Sequence, residues 1–332
     1  MADTYIWRNA TSDVAVQKAT ISFWVKKTSS GTSQYCFYTG LTTNWSDYSF
    51  YMKFHTDDTI KIVGASGGST LDYKTNAVFR DPTAWMHIVI KLDMTETGTD
   101  RVKLYINGVF ETNYSTQTAM TGTEFYTGKT GYRQHIGYAP SEGTYSSLLL
   151  SHYQYIDGTA LAPTEFGETD ATSGIWKLKT ACYGTPGTNG FCLKMEDRTN
   201  LDLDSSSNAL TMTTSGTGTA TYDNPSNNFC TANSLMHNLG GGGAFTFSQG
   251  NNTIYRSVSD WKSVGATMPI SASKWYWETK VTGWGMIGIW ATWNNTDSSS
   301  FGSLLTNGGT TGSGPQSFAY KSDGYKYQTG YS

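Results

Sequence analysis

The chain contains little charge, little proline and little cysteine, and it has no long apolar run. Asp, Glu, Lys and Arg make up 15% of its 332 residues, the formal net charge is −3, and Lys and Arg form no cluster. A nucleic-acid-binding protein needs a basic patch that neutralises phosphates, so we expect no nucleic-acid partner. Because no window approaches the roughly 18 apolar residues of a membrane-spanning helix, we expect no membrane insertion either.

Signatures of secretion are also missing. Residues 1–14 show no basic region followed by an apolar core, so a signal peptide is not predicted and we expect synthesis in a cytosol. The cysteines form no CxxC pair, which disfavours a zinc site or a disulfide framework and favours free structural thiols. The pair that merits a test for a bridge flanks the turn-rich stretch 183–190; the four cysteines are Cys36, Cys182, Cys192 and Cys230.

Helical periodicity is absent, and only short segments such as 161–167 could form a single helical turn. The sequence is instead rich in turn formers and strand formers, with 36 Gly, 22 Tyr and 11 Trp. This composition predicts an all-β protein. The length is sufficient for two β domains with a large buried core.

Strand patterns follow one another closely over residues 1–165. The stretch VKLYINGVF (102–110) alternates apolar and polar residues and is interrupted by Asn107-Gly108, the pair that favours a type I′ turn, so it predicts a β-hairpin. Eight strands at short spacing predict a two-sheet jelly roll. They cover 19–27, 33–40, 48–55, 59–65, 85–93, 101–110, 135–139 and 149–158.

The remainder of the chain has a different character. Residues 166–230 are polar and irregular apart from the apolar strand GFCLKM, and we interpret them as a connector or belt. Residues 231–332 predict a second β-sandwich, in which KWYWETKVTG (274–283) and GMIGIWATW (285–293) read as strands. Only four or five strands can be counted there, against about seven for a complete sandwich. We expect this domain to be small, completed by another chain, or cut short.

Several segments resemble the laminin-G-like, concanavalin A-like jelly-roll modules of structural proteins from tailed bacteriophages, particularly marine ones. The most specific is IDGTALAPTEFGETDATSGIWKLK (156–179), which resembles the segment that closes the jelly roll in that family. The order of the segments matches as well as their letters, although Leu178 stands where a proline is usual and DSSSNA lacks a common glycine. The other matching stretches are 190–209, 223–235 and KWYWETKV at 274–281, which resembles the first strong strand of a SPRY-like sandwich.

This resemblance implies a fold and a role. The implied fold is a concanavalin A-like jelly roll, a connector and an incomplete SPRY-like β-sandwich, with the same boundaries as above. The role is that of a virion protein in a tail fibre, a tail spike or a capsid-surface appendage, made in the host cytoplasm. Its partners would be other virion proteins, host-surface glycans and further copies of itself, for example in a trimer.

Two aromatic loops are candidates for binding a glycan or a protein partner. Trp45, Asp47 and Tyr48 combine rings with a carboxylate, and sugars stack on rings and bond to such oxygens. The alternative is that these rings belong to the core. The second candidate is Trp293 beside Asn294, in a loop that the resemblance to SPRY-like domains would allow to bind a partner.

Metal binding is a weaker prediction. Asp202 and Asp204 belong to an alternating series of oxygen donors that resembles the start of a calcium loop, but the series lacks the Gly and the distant Glu of a complete one. The alternative is a polar turn. Calcium is the only cofactor that we consider.

No catalytic residue is predicted. A glycoside hydrolase needs two carboxylates that flank the scissile bond, and no strand carries acids at alternate positions. The histidines accompany no nucleophile motif and read as packed residues. We therefore expect a non-enzymatic virion appendage with lectin-like adhesion; the alternatives are a purely architectural virion protein and, third, a glycoside hydrolase.

Overall fold

The structure is a computed structural model that describes residues 4–11, 17–41, 44–66, 69–237, 245–257, 263–271, 274–290 and 317–329. The chain divides into two compact units, residues 1–229 and residues 230–332, here called the N-terminal and the C-terminal unit. Both are built from strands, and the helical content of the described ranges is confined to the short 3-10 helices Gly98–Arg101 and Pro163–Glu165. No helix of the described residues is long and apolar enough to cross a membrane.

The N-terminal unit is a sandwich of two large antiparallel sheets. The order of the eight-stranded sheet is β10-β6-β5-β4-β3-β11-β1-β18, and that of the six-stranded sheet is β17-β14-β2-β7-β8-β9. Two short hairpins, β12-β13 and β15-β16, complete it. The strands are β1 Tyr5–Asn9, β2 Lys18–Lys27, β3 Gln34–Leu41, β4 Asn44–Phe54, β5 Thr59–Ser66, β6 Ser69–Val78, β7 Met86–Asp93, β8 Val102–Ile106, β9 Val109–Phe110, β10 Tyr114–Thr118, β11 Tyr132–Ile136, β12 Tyr138–Ala139, β13 Thr144–Tyr145, β14 Leu148–Asp157, β15 Gly167–Thr169, β16 Trp176–Leu178, β17 Phe191–Leu193 and β18 Thr213–Ser215.

The core lies between the two sheets and follows from the alternation of each strand. In β2, Ile21, Phe23 and Val25 point inward and are fully buried. In β4 of the facing sheet, Phe50 and Met52 do the same. Period-two alternation places every second side chain on one face, so the prediction of an all-β jelly roll is confirmed.

The predicted hairpin at 102–110 is present as β8 and β9. Asn107 and Gly108 have φ angles of 49° and 79°, the positive values that a type I′ turn requires. All eight predicted strands correspond to strands of the sandwich, with shifts of a few residues at their ends. Sequence analysis did not predict β1, β6 or β10; β10 is mostly exposed and polar, so its hydrophobic pattern is weak.

Parts of residues 159–229, here called the covering segment, lie on the outer face of the six-stranded sheet, whereas β17 adds a strand to that sheet and β18 pairs with β1 of the other sheet. Phe166 packs on Val89 and Ile156, which are turned away from the core. Trp176 lies over the hairpin turn so closely that a Cβ on Gly108 would come within 2.5 Å of its ring. Most of the predicted connector, 166–230, thus belongs to the N-terminal unit, and the division between the units falls after Phe229.

A disulfide joins Cys182 to Cys192, and the expectation of free thiols is wrong for this pair. The reason is the pairing of β17 with β14, which places Cys192 opposite Gln154. The backbone N–H of Tyr183 donates to Gln154 Oε1 at 2.9 Å, which places the neighbouring Cys182 close to Cys192. The Cα atoms of the two cysteines lie 6.0 Å apart. Cys36 is a buried free thiol and Cys230 an exposed one.

The C-terminal unit contains shorter strands in small sheets. In the described part of this unit, β19 pairs with β22, β20 pairs with β21, and β24 pairs with both β23 and β25. The strands are β19 Ala232–His237, β20 Thr246–Ser248, β21 Thr253–Tyr255, β22 Val264–Ala266, β23 Met286–Trp290, β24 Ser317–Lys321 and β25 Lys326–Thr329.

The prediction for 274–283 is wrong, whereas β23 falls within the second predicted strand, 285–293. Residues 274–283 form no strand, and Tyr276 is 82% exposed. Alternation alone does not make a strand, because the backbone groups also need a hydrogen-bonded neighbour. No strand among the described residues pairs with this segment.

Candidate functional site

Three tyrosine rings meet at one end of the N-terminal sandwich. The Tyr126 ring lies 5.3 Å from Tyr48 in an edge-on arrangement and 5.3 Å from Tyr132 in a stacked one. Lys129 Nζ lies 5.4 Å from the centre of the Tyr126 ring and 3.0 Å from Glu124 Oε1. These five residues are here called the tyrosine rim.

The sandwich explains why these rings gather. Tyr48 is on the same face of β4 as Phe50, but it lies two residues nearer the N-terminal end of the strand, where the core ends. The loop that carries Tyr126 is anchored by Phe125, whose buried ring contacts Phe50 at 6.1 Å. Behind it, Asn189 donates to the carbonyl of residue 128 at 2.7 Å. A loop with this support presents its side chains in fixed positions.

The surroundings of Tyr132 in the tyrosine rim favour its neutral phenol. Burial raises the pKa of Tyr132, and the nearby hydroxyls of Tyr126 and Tyr48 and the carboxylate of Glu124 raise it further. Tyr132 therefore keeps its proton and remains a donor. The rim offers ring faces, hydroxyls, a carboxylate and an ammonium group, which together can stack on a saccharide and bond to its hydroxyls.

A second group of rings lies on the outer face of the eight-stranded sheet. The Tyr138 ring stacks on Tyr5 at 4.6 Å and on Tyr145 at 4.5 Å. Trp7 lies two residues beyond Tyr5 on the same face of β1, and the Arg133 guanidinium stacks on its ring at 4.1 Å. These five residues are here called the aromatic strip.

The aromatic strip remains partly open to solvent. Tyr145 is 40% exposed, and Tyr5, Trp7, Tyr138 and Arg133 are half-buried. The short hairpin β12-β13 covers only the neighbouring part of this face, over the buried rings of β3. The strip is therefore a surface that a ligand can reach.

The first predicted binding loop coincides in part with the tyrosine rim. Of its three residues, Tyr48 is a member of the rim. Trp45 and Asp47 lie within β4, but their side chains are outside the described residues. Trp293 and Asn294 also lie outside the described residues, so their proposed role stays a prediction.

The two aspartates proposed as calcium ligands accept hydrogen bonds from other groups of the protein. The carboxylate of Asp204 accepts from the backbone N–H groups of Cys192, Ser206 and Leu210, at 2.9, 2.9 and 2.7 Å, and from the Ser206 hydroxyl at 3.0 Å. Asp202 accepts from the Thr214 hydroxyl at 2.8 Å. With these donors satisfied, the pair does not fit a calcium shell. No cluster of acidic, His or Cys side chains suited to a metal occurs among the described residues.

The carboxylates on the outer face of the eight-stranded sheet are neutralised by lysines. Glu142 pairs with Lys53 and Asp72 with Lys61, each at 3.3 Å. Both carboxylates lie near Tyr51, where, together with burial, they raise its pKa. An acid paired with lysine is a poor general acid, so neither Glu142 nor Asp72 is suited to protonate a leaving group.

One constellation resembles a catalytic triad. Ser151 Oγ lies 2.8 Å from His152 Nδ1, and Glu196 Oε1 lies 3.3 Å from His152 Nε2. However, Ser151 and His152 are only 6% and 5% exposed. A substrate cannot reach the Ser151 hydroxyl. We interpret the contacts among these three side chains as structural, because Ser151 and His152 lie at the register shift of β14.

His87 is packed, as the sequence predicted. Its ring stacks between Trp24 and Trp176, at 4.9 and 6.0 Å. The Trp176 indole N–H donates to Nδ1 at 3.0 Å, which leaves the proton on Nε2 to bond with Ser22 Oγ at 2.9 Å. Burial lowers the pKa of His87 to about 3, so the ring is neutral at physiological pH.

Most of the two aromatic surfaces escaped sequence analysis. The loop residues of the tyrosine rim come from FYTGKTGYR (125–133), where two tyrosines alternate with glycine turns. That pattern could have indicated a surface loop with rings. The aromatic strip gave no local signal, because it joins residues from opposite ends of the sandwich sequence.

Residues 2–148 match a protein-family model described as the concanavalin A-like lectin/glucanases superfamily. A comparison with curated proteins finds no match. The two-sheet sandwich that contains these residues is therefore described as a concanavalin A-like, laminin-G-like jelly roll, which agrees with the fold that the sequence resemblance implied; the phage origin and the SPRY-like module stay predictions.

Solved structures of low sequence identity are similar to parts of this chain. The heptameric SAP-like pentraxin of Limulus polyphemus is 16% identical over 49% of this chain and 79% of its own, with a TM-score of 0.31. The CBM40 of the Ruminococcus gnavus IT-sialidase, solved with α2,3-sialyllactose, is 19% identical over 46% and 81%, with a TM-score of 0.33. Mouse laminin α1 domains LG4-5 are 10% identical over 48% and 41%, with a TM-score of 0.36.

Proposed function

We propose that the N-terminal unit is a non-catalytic module that binds saccharides at the tyrosine rim. The observation that carries the proposal is the meeting of Tyr48, Tyr126 and Tyr132 beside Glu124 and Lys129 at the end of β4. Rings supply a platform for the apolar face of a sugar, and the charged pair and the hydroxyls supply hydrogen bonds. The match of residues 2–148 to a lectin and glucanase superfamily supports the proposal.

The test is binding of the purified chain to an array of bacterial surface glycans under multivalent display. Tyr126→Ala should weaken binding about fivefold, because one ring contact contributes on the order of 1 kcal/mol. Tyr126→Phe should retain most of the affinity. Tyr222→Ala is a matched control, since Tyr222 is a 68% exposed tyrosine of the same unit outside the tyrosine rim.

Two results would contradict the proposal. One is a complete lack of binding by a folded, multivalently displayed chain, which would favour an architectural role. The other is equal binding by Tyr126→Ala and the unaltered protein. A parallel experiment with calcium and with a chelator tests the cofactor: a loss of binding on chelation would require a cation site other than Asp202 and Asp204.

We further propose that the protein is an appendage of a tailed-phage particle, in which the module adheres to a host glycan. The support is the order of segments across 156–281, which resembles that of phage structural proteins. Weak single sites would combine through many copies on one particle, where effective concentration raises the total affinity. Labelling of particles with an antibody against the chain tests the location, and unlabelled intact particles would contradict it.

Hydrolysis of the bound glycan is the least favoured alternative. An assay for reducing ends released from surface polysaccharide should show no turnover. Turnover that is lost in Glu196→Gln or Asp204→Asn would overturn the non-catalytic proposal.

A further inference from the structure

We propose that Arg133 binds the carboxylate of an acidic saccharide, so that the ligand of the N-terminal unit is a uronic-acid-type glycan. This inference rests on the proposed function and adds the charge of the ligand to it. It depends on three observations: the way Arg133 is held, the absence of an acidic partner among its described neighbours, and its place beside the tyrosine rim.

The guanidinium of Arg133 is held from two sides. Its plane lies over the Trp7 ring at 4.1 Å, and its Nε donates to Asn9 Oδ1 at 3.1 Å. Asn9 faces Arg133 directly in the antiparallel pair of β1 and β11. The two contacts use the ring face and one of five N–H groups, so four N–H groups remain in a fixed fork.

Arg133 forms no ion pair with a carboxylate among the residues that the structure describes. Two acidic side chains of neighbouring elements are engaged elsewhere: Glu124 bonds to Lys129, and Asp202 bonds to Thr214. Arg80, by contrast, pairs with the carboxylate of Asp58 at 3.1 Å. The positive charge of Arg133 is thus available to a ligand.

The position of Arg133 links the two aromatic surfaces. It follows Tyr132 of the tyrosine rim on β11, and successive side chains of a strand point to opposite faces. Tyr132 therefore faces the rim and Arg133 the aromatic strip. A saccharide chain that crosses this end of the sheet would pass from the stacked tyrosines of the rim to the guanidinium.

The chemistry of the fork selects the class of ligand. A guanidinium binds a carboxylate through two parallel N–H···O bonds, and this pairing is among the stronger hydrogen-bonded interactions in proteins. A neutral sugar hydroxyl cannot make this pair. A ring carboxylate next to stackable C–H faces is what an acidic sugar presents, and the neighbouring rings of Trp7 and Tyr5 suit such a ligand.

The experiment measures binding to polygalacturonate and to its fully methyl-esterified form, which has the same backbone without the charge. We expect the unaltered protein to bind the acid form at least about tenfold more tightly than the ester. Arg133→Gln should bring the two affinities together. Arg133→Lys should retain part of the preference and lose the rest, because an ammonium group keeps the charge but not the fork.

A matched control is available in Arg198, whose guanidinium also stacks on an aromatic ring, that of Tyr222, at 3.9 Å. Arg198→Gln removes the same charge elsewhere on the unit and should leave the preference unchanged. An equal loss in both variants would indicate non-specific attraction and would overturn the inference.

The outcomes separate this inference from the proposed function. Binding to glycans of the array that is equal for the acid and ester forms, and unaffected by Arg133→Gln, overturns the inference and leaves the proposed function intact. Absence of binding to the array and to both polymers overturns both. Loss of binding by Arg133→Gln counts in favour only if its thermal unfolding matches that of the unaltered protein.

Discussion

The two outer faces of the N-terminal sandwich differ in how much of each is covered by other segments of the protein. The face of the six-stranded sheet lies beneath the covering segment, with Phe166 and Trp176 packed on it and a disulfide at its edge. On the face of the eight-stranded sheet, the described residues of this unit form the short hairpin β12-β13, and the aromatic strip, to which Tyr138 and Tyr145 of that hairpin belong, is partly exposed.

Because of this difference, the rings of the covered face are part of the packed structure, whereas those of the aromatic strip remain partly exposed to solvent. Both faces are rich in aromatic residues, so composition alone cannot distinguish them. His87 and Trp176 satisfy each other's polar atoms, whereas Arg133 on the opposite side has N–H groups to spare. Buried polar groups must be paired, while a binding surface keeps unsatisfied donors at the solvent.

The largest effect is expected from Lys26→Met, which would loosen the covered face. Lys26 Nζ lies 2.7 Å from Asp223 Oδ2 in a pair whose side chains are 1% and 2% exposed. The change leaves the Asp223 carboxylate buried without its cation, so the free energy of unfolding should fall by about 3–5 kcal/mol. Urea denaturation measures it.

The matched control for this change is Lys18→Met. Lys18 pairs with Asp93 at 3.0 Å, but it is 40% exposed, so its loss should cost less than about 1 kcal/mol. Similar losses in the two variants would show that the contact of Lys26 with the covering segment contributes little.

A smaller loss is expected when the bridge of the covered face is removed. Cys182→Ser with Cys192→Ser opens a link between residues 10 apart, which should lower the free energy of unfolding by about 2–3 kcal/mol. Hydrogen exchange should rise in 159–183 and stay unchanged in the aromatic strip. Cys230→Ser, at an exposed free thiol, serves as the control; unchanged exchange in 159–183 would contradict the prediction.

Acid should weaken the covered face through His87. Its pKa is about 3 in the folded protein and about 6.5 in the unfolded chain, so between these values only the unfolded chain binds the proton. Stability due to this group is fully present above pH 6.5 and falls by about 1.4 kcal/mol per pH unit as the pH is lowered toward 3.

The measurement is the free energy of unfolding at several pH values between 7 and 4. His87→Asn keeps an acceptor near the Trp176 indole and does not titrate, so its slope should be shallower. Burial and the charge of Arg133 also lower the pKa of His135 to about 3, so a residual slope is expected. Identical slopes in the two proteins would refute the assignment to His87.

The smallest effect is expected on the open face. Tyr145→Ala removes a ring that is 40% exposed, and the free energy of unfolding should change by less than about 1 kcal/mol. Tyr145→Phe should match the unaltered protein. A loss as large as that of Lys26→Met would mean that the aromatic strip is a structural element and not an accessible surface.

Sequence patterns predicted most strands of the sandwich because each of these strands has a recognisable pattern within its own few residues. The alternation in 102–110 and the pair Asn107-Gly108 were sufficient to place a hairpin. The same reasoning was wrong at 274–283, where alternation occurs without a partner strand among the described residues. The alternation of apolar and polar residues predicts which side chains share a face of a strand, but it does not predict which strand is the hydrogen-bonded neighbour.

The candidate site was predicted only at Tyr48, for a related reason. Its neighbours Tyr126 and Tyr132 come from a distant loop and strand, and nothing within either stretch indicates the other. The bridge between Cys182 and Cys192 was missed as a disulfide because it depends on the register of β14 and β17. Both the tyrosine rim and the disulfide depend on contacts between residues that are distant in the sequence.

The position of β1 has a consequence for biosynthesis. This strand lies between β11 and β18, and Trp7 Nε1 bonds to Ser215 Oγ, 208 residues later in the chain. At roughly 5–20 residues per second, a ribosome needs on the order of 10–40 s to reach Ser215 after it has made Trp7. During that time β1 has an open edge that a neighbouring nascent chain could occupy, so a polysome that makes this protein is exposed to domain swapping between successive copies.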